Sequence, residues 1–160
     1  MELKKVAVAI PEGSNIILGQ THFIKTVEDL YEIIVTTVSQ AKFGIAFTEA
    51  SGPCLIRTVG NDNDLVQSCI DNLRDIGAGH VFCILLRNVY PINILNQIKN
   101  CPEVCMIYCA TANPLEVIVA RTEQGNGIMG VIDGFPPKGV ETDEDKTQRK
   151  NFLRKIGYKS

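Results

Sequence analysis

The chain has no tryptophan, two histidines, three methionines and no excess of charge of either sign. Sixteen Lys and Arg stand against eighteen Asp and Glu, a formal net charge of -2. That balance removes the broad attraction to polyanions on which nucleic-acid binding rests, so nucleic acid is not an expected partner. Long apolar runs are also missing. Pro11 interrupts the first candidate, Val6 to Ile10, well short of a signal-peptide core, and no later run nears the roughly 20 residues that span a bilayer. The expectation is a cytoplasmic protein with no membrane partner. There is no Gly-x-x-x-x-Gly-Lys-Ser/Thr loop. Gly125-x-Gly127-x-x-Gly130 has the letters of a dinucleotide fingerprint, but Ile128, Val131 and Ile132 continue it as a strand, where the true motif opens a helix.

What is present fits one domain, residues 1–160, with 45% hydrophobic residues and enough length to bury roughly 70% of its unfolded surface. Six cysteines without an export signal are expected as reduced thiols. Cys101, Cys105 and Cys109 recur every four residues, yet both histidines are distant and the spacing misses the zinc and ferredoxin patterns, so no structural metal is expected.

Period-2 and period-3.6 patterns alternate along the chain. Strands are predicted at Leu3–Ile10, Asn15–Leu18, Phe43 onward, Cys54–Val59, His80–Leu86, Val104–Tyr108, Leu115–Ala120 and Ile128–Ile132. The nearly unbroken apolar run His80–Leu86 reads as the middle of a sheet covered on both faces. One helix begins at Thr26, read as a cap with Asp29 three residues on, and buries Val27, Leu30, Tyr31, Ile34 and Val38. A second follows Gly60 to Asp64 and stops at Gly77. A third starts at Pro91 with Ile92, Leu95 and Ile98 as its stripe, and a fourth starts near Thr142. Gly125 to Gly127 marks a hairpin. The pattern gives an α/β class, a three-layer α/β/α domain with a mixed sheet.

The stretch Phe43 to Pro53 organises the candidate chemistry. A strand with Phe43, Ile45 and Phe47 on one face runs straight into Glu49, Ser51, Gly52 and Pro53, which serve equally as a tight corner or a ligand loop. Arg57, amid strand residues, needs an anionic partner, and Glu49 is one choice. The histidines are the side chains that titrate near neutrality unaided. His22 lies in a polar loop before a helix, and His80 directly follows a helix stop. With parallel strands, His22 would share an edge with Glu49, Ser51, Arg87, Asn88, Thr111 and Asn113, leaving His80 opposite. Asn93 and the free amides after Pro91 offer another anion site.

Taken together, Gly19-Gln-Thr-His-Phe-Ile-Lys-Thr-Val-Glu-Asp, Phe43-Gly-Ile-Ala-Phe-Thr-Glu-Ala-Ser-Gly-Pro, Gly77-Ala-Gly-His-Val-Phe, Pro91-Ile-Asn, Cys109-Ala-Thr-Ala-Asn-Pro, Gly130-Val-Ile-Asp-Gly and the ending Arg-Lys-Ile-Gly-Tyr-Lys resemble the archaeal and bacterial adenosine-specific kinase family almost end to end. The resemblance implies a compact three-layer fold, a nucleoside or nucleoside monophosphate partner (adenosine or AMP) and a homo-oligomer. Two readings follow. In one, the protein is a phosphotransferase using Mg2+ with a nucleoside triphosphate donor: Glu49 or Asp62 activates a ribose hydroxyl or holds the ion, Arg57 steadies phosphate, and His22 or His80 relays a proton or becomes a phosphohistidine. In the other, it binds adenosine or AMP without catalysis, through Glu49, Ser51 and Asn113. Gly52 and Thr111 complete the candidate ligand contacts.

Overall fold

The apolar run after His80 becomes β5 (Val81–Arg87), the central strand of a five-stranded sheet ordered β4-β3-β5-β2-β6 in a computed structural model describing residues 1–160. It pairs with β2 (Asn15–Thr21) and β3 (Lys42–Thr48), and β6 (Val104–Thr111) and β4 (Ile56–Gly60) form the outer strands beyond them. Every residue from Val81 to Leu86 is buried, as the sequence pattern requires of a strand covered on both faces.

The predicted mixed sheet is corrected. All four strand pairings are antiparallel. A continuous apolar run reports two covered faces and carries no information about strand direction, because antiparallel sheets give the same run when both faces are packed. Helices α1 (Thr26–Thr37) and α3 (Pro91–Lys99) cover one face around Phe43, Phe47, Phe82 and Ile84. The other face meets α2 (Asn63–Ile76) together with a separate antiparallel sheet, β1-β7-β8 (Glu2–Val8, Leu115–Arg121, Asn126–Asp133). Helices alone therefore do not sheathe this face in the manner of an α/β/α sandwich.

Helix α2 carries the tie between the two sheets. Asn72, 3% exposed, both donates to the Ala9 carbonyl and accepts from the Ala9 amide at 2.8 Å, pinning the chain just beyond β1. Asn126 at the start of β8 donates to the carbonyl of Ile76 at 3.2 Å and forms a parallel bridge with Ala78. The predicted hairpin joins β7 to β8 through residues 122–125, with Thr122 N–H donating to the Gly125 carbonyl; Asn126 and Gly127 already belong to β8, paired with Arg121 and Ala120.

Two local expectations change. Thr26 does not cap α1 with its side chain: it is fully buried, its hydroxyl bonding to Thr21 Oγ1 at 2.6 Å and to the Phe23 carbonyl, while Asp29 accepts from Lys25 at 2.7 Å. In α3, Ile92 is exposed and Ile94 is buried with Ile98, a rotation of the predicted stripe. Helix α4 (Asp143–Lys155) starts after Thr142 as expected, with Thr142 and Asp145 forming a capping box, but buries none of its residues.

Candidate functional site

Antiparallel pairing sorts the candidate residues between two edges of the large sheet. The ends of β2 and β3 lie beside the starts of β4, β5 and β6, which brings His22, Glu49, Ser51, Gly52, Arg57 and His80 to one edge. Asp62, Arg87, Asn88, Asn93, Thr111 and Asn113 go to the other, about 20 Å away by the rise of a seven-residue strand. This reverses the parallel-strand expectation: His80 joins Glu49 and His22, whereas Arg87 and Asn113 leave them.

His80 is the hinge of the first edge. Its amide donates to the Thr48 carbonyl at 2.8 Å, and its own carbonyl accepts from Thr21 N–H at 3.0 Å, so one residue links the ends of β3 and β2. These two bonds hold it at φ +57°, a left-handed conformation that costs a non-glycine residue about 1–2 kcal/mol. The imidazole stacks on Phe47, centroids 6.0 Å apart and planes 16° from parallel. Gly79 precedes it because a Cβ there would sit 2.8 Å from that of Ala50. His22 is exposed, and its amide donates to the Glu103 carbonyl at 3.1 Å.

The Glu49–Leu55 loop is stapled by its own carboxylate, and Glu49, Ala50 and Cys54 of it also line a cleft. Glu49 Oε1 accepts from Arg57 Nε and Nη2 at 2.9 and 2.7 Å, and Oε2 accepts from the Leu55 amide at 2.8 Å. These donors, the amide first and the guanidinium second, hold the Glu49 carboxyl below the usual glutamate range. Gly52 turns the chain at φ +63°, and Ser51 is exposed beside it.

Between this corner and the β7-β8 hairpin opens a cleft of about 680 Å³, lined by Thr48, Glu49, Arg74, Gly79, Gln124 and Asn126 among others. A second hollow of about 550 Å³ adjoins it across Ala78, Gly79, Asn126 and Gly127, with Gln20, Tyr108 and Gly130 on its walls. The glycines of the false fingerprint thus form open wall. Asn126 and Gln124 escaped the sequence reading because nothing in a hairpin's local pattern tells which helix end it docks against.

At the far edge the polar candidates are engaged with the fold. Asp62 caps α2 by accepting from the Asp64 and Leu65 amides at 3.1 and 3.2 Å, and its other oxygen meets Arg87 at 3.3 Å. Asn93 accepts from the Tyr90 amide at 3.0 Å. Thr111 and Asn113 both donate to Asp133 Oδ1, at 2.7 and 3.1 Å.

The three evenly spaced cysteines do not form a cluster with one another. Cys101 instead converges with Asp29 and Glu103, the one group of three ligand-type side chains that comes together. Burial, with the Glu103 carboxylate beside it, pushes the Cys101 thiol up to about 12. No helix is long and apolar enough to cross a membrane.

With this geometry in view, the comparisons narrow the identity. The crystal structure of the PH1918 protein from Pyrococcus horikoshii OT3 superposes with a TM-score of 0.95 at 49% sequence identity, covering 99% of this chain and 98% of that one. A search of curated proteins returns no match. The family model described as adenosine specific kinase matches residues 6–159, and the chain belongs to that family.

Proposed function

We propose that the chain binds adenosine or AMP in the cleft beside Glu49 and acts as a phosphotransferase on adenosine, with a nucleoside triphosphate as donor. The observation that carries this reading is the 680 Å³ cleft beside Glu49, on the sheet edge that also holds both histidines; neither histidine lines the cleft, and the His80 ring stacks on Phe47. A nucleoside needs apolar walls for its base and a few fixed polar groups for orientation. Ala78, Ala120 and Ile56 supply the former, and Asn126, Gln124 and Thr48 the latter.

Glu49 is poorly suited to be the base. Its oxygens already accept three hydrogen bonds, and its proton affinity is reduced. Proton or phosphoryl transfer therefore falls to His22 or His80. In the covalent route an imidazole nitrogen attacks the γ-phosphorus, the bond to the nucleoside diphosphate breaks, and a ribose hydroxyl then displaces the imidazole, losing its proton to solvent. A Mg2+ accompanying the nucleotide would find one carboxylate in the cleft, Glu49, already engaged. The lining does not fit an ion held by the protein, and no step is assigned to one. Asp62, far away and capping α2, supports neither role.

The non-catalytic alternative is favoured by the same engagement of Glu49, which suits a binding wall better than a reacting group. Incubation with adenosine and γ-labelled nucleoside triphosphate separates the two: labelled AMP is expected, together with acid-labile label on the protein that disappears in His22→Ala or in His80→Ala. Nucleoside binding without any transfer of label would leave the binding reading standing and remove the kinase. The proposal includes a homo-oligomer, supported by the exposed Phe135, Val140, Phe152 and Ile156 around α4, and a cytoplasmic location, supported by six free thiols.

A further inference from the structure

The first residues before β6 carry a group that the fold does not account for. Glu103 is 1% exposed, and neither of its carboxylate oxygens has a hydrogen-bond partner. A carboxyl group taken out of water without such partners is costly, and proteins seldom retain one without use. The backbone around it is firmly held: its carbonyl accepts from His22 N–H at 3.1 Å and from Thr21 Oγ1 at 3.0 Å. Its side chain meets Asp29 of α1 and Cys101 of the preceding turn, one ligand atom of each lying within 4.8 Å of the others. Lys25 reaches over from solvent, but its Nζ is 3.7 Å from Glu103 Oε2, outside hydrogen-bonding range, and is committed to Asp29 Oδ2 at 2.7 Å.

We propose that Asp29, Cys101 and Glu103 form a binding site for one divalent cation of the zinc class. One sulfur and two carboxylate oxygens suit a borderline ion, whereas Mg2+ and Ca2+ favour oxygen alone. A tetrahedral ion with bonds of about 2.0–2.3 Å holds its ligand atoms roughly 3.5 Å apart, so the cluster needs to contract by about an ångström from its outer limit. Access does not require unfolding: a hollow of about 380 Å³ opens onto Asp29 and Cys101, with Glu32, Gln97 and Asn100 on its rim. Three protein ligands leave the fourth position to water. On binding, the Cys101 S–H bond breaks, a sulfur–metal bond forms and the proton leaves to solvent. The ion gives Glu103 the partner it lacks, and through the Glu103 carbonyl it steadies the amide of His22. This departs from the expectation of no structural metal, which was formed on the cysteine spacing and the distant histidines and could not register that α1 delivers Asp29 to Cys101. The site does not depend on what occupies the nucleoside cleft.

The test is titration of the full chain, with its exposed thiols removed as Cys54→Ser and Cys105→Ser, by Co2+ as a coloured substitute for zinc. Saturation at one equivalent is expected, with near-ultraviolet thiolate-to-cobalt absorption that Zn2+ displaces. Adding Cys101→Ser should abolish that band, and Glu103→Gln should weaken binding at least about tenfold, the loss that even outer partners of a metal can produce. Should Glu103→Gln fail to fold, the partly exposed Asp29→Asn gives the same comparison. No thiolate band at one equivalent, or a band that survives Cys101→Ser, would overturn the site.

Discussion

The two edges of the large sheet are built from the same five strands, yet they use polar residues in opposite ways. At the far edge Asp62, Asn93, Thr111 and Asn113 each have a hydrogen-bond partner within the fold, and the bonds close helix ends or join β6 to β8. Each edge holds a left-handed residue, His80 at the near one and Asn88 at the far one, but at the near edge His22 is exposed and Glu103 is buried with no hydrogen-bond partner. Satisfied polar groups stabilise a fold, whereas strained or orphaned ones cost stability and mark where structure serves another purpose. The orphaned Glu103 and the exposed His22, rather than residue type, set the near edge apart, since both edges carry the kinds of side chain that bind ligands.

The largest expected effect breaks or confirms that division directly. His22→Ala or His80→Ala should reduce phosphoryl transfer to adenosine at least about 100-fold, the low end of acid–base or nucleophilic contributions. Asn93→Ala and Asn113→Ala should stay within about twofold. Initial rates with saturating nucleotide decide it, and a large loss from either asparagine would return catalysis to the far edge.

Stability should show the converse. Asp62→Ala removes the cap of α2 and strands Arg87, and is expected to lower unfolding free energy by about 1–2 kcal/mol in urea titration with nucleoside affinity unchanged. A smaller effect tests the strain at the near edge. His80→Gly should be about 1 kcal/mol more stable than His80→Ala, because only alanine keeps a Cβ at φ +57°. Equal stabilities in chemical denaturation would show that this backbone is not strained.

Much of the fold was legible in local pattern. The burial of β5, the β7–β8 hairpin at Gly125 and the start of α4 at Thr142 all follow from short-range spacing. Strand direction was not, because the side-chain alternation of a strand reads identically in both directions and the crossovers that fix it depend on tertiary packing. That single omission placed His80 on the wrong side and Arg87 and Asn113 on the wrong edge. The Glu49–Arg57 pair was legible because an arginine amid strand residues requires an anion. Glu103 was invisible for a different reason: a glutamate before a strand looks solvated, and only the arrival of α1 buries it.

The smallest expected effect concerns the corner from which the near edge is built. Since the Glu49 carboxyl is held below its ordinary value of 4.5 by the Leu55 amide and Arg57, the folded state binds its proton less readily than the unfolded chain does. Its contribution is then fully present above the unfolded value and is lost as pH falls through the lower folded one. Between neutrality and pH 5 the corner should therefore be insensitive to pH, and a decline should set in only below about 4.5. Glu49→Gln cannot ionise and should lower stability at pH 7 while flattening that acid limb, so the two proteins converge as pH falls. Unfolding midpoints followed from pH 7 to pH 3 test this. Parallel profiles would mean that the charge of Glu49 adds nothing to the corner, and that Arg57 is free to serve a bound anion instead.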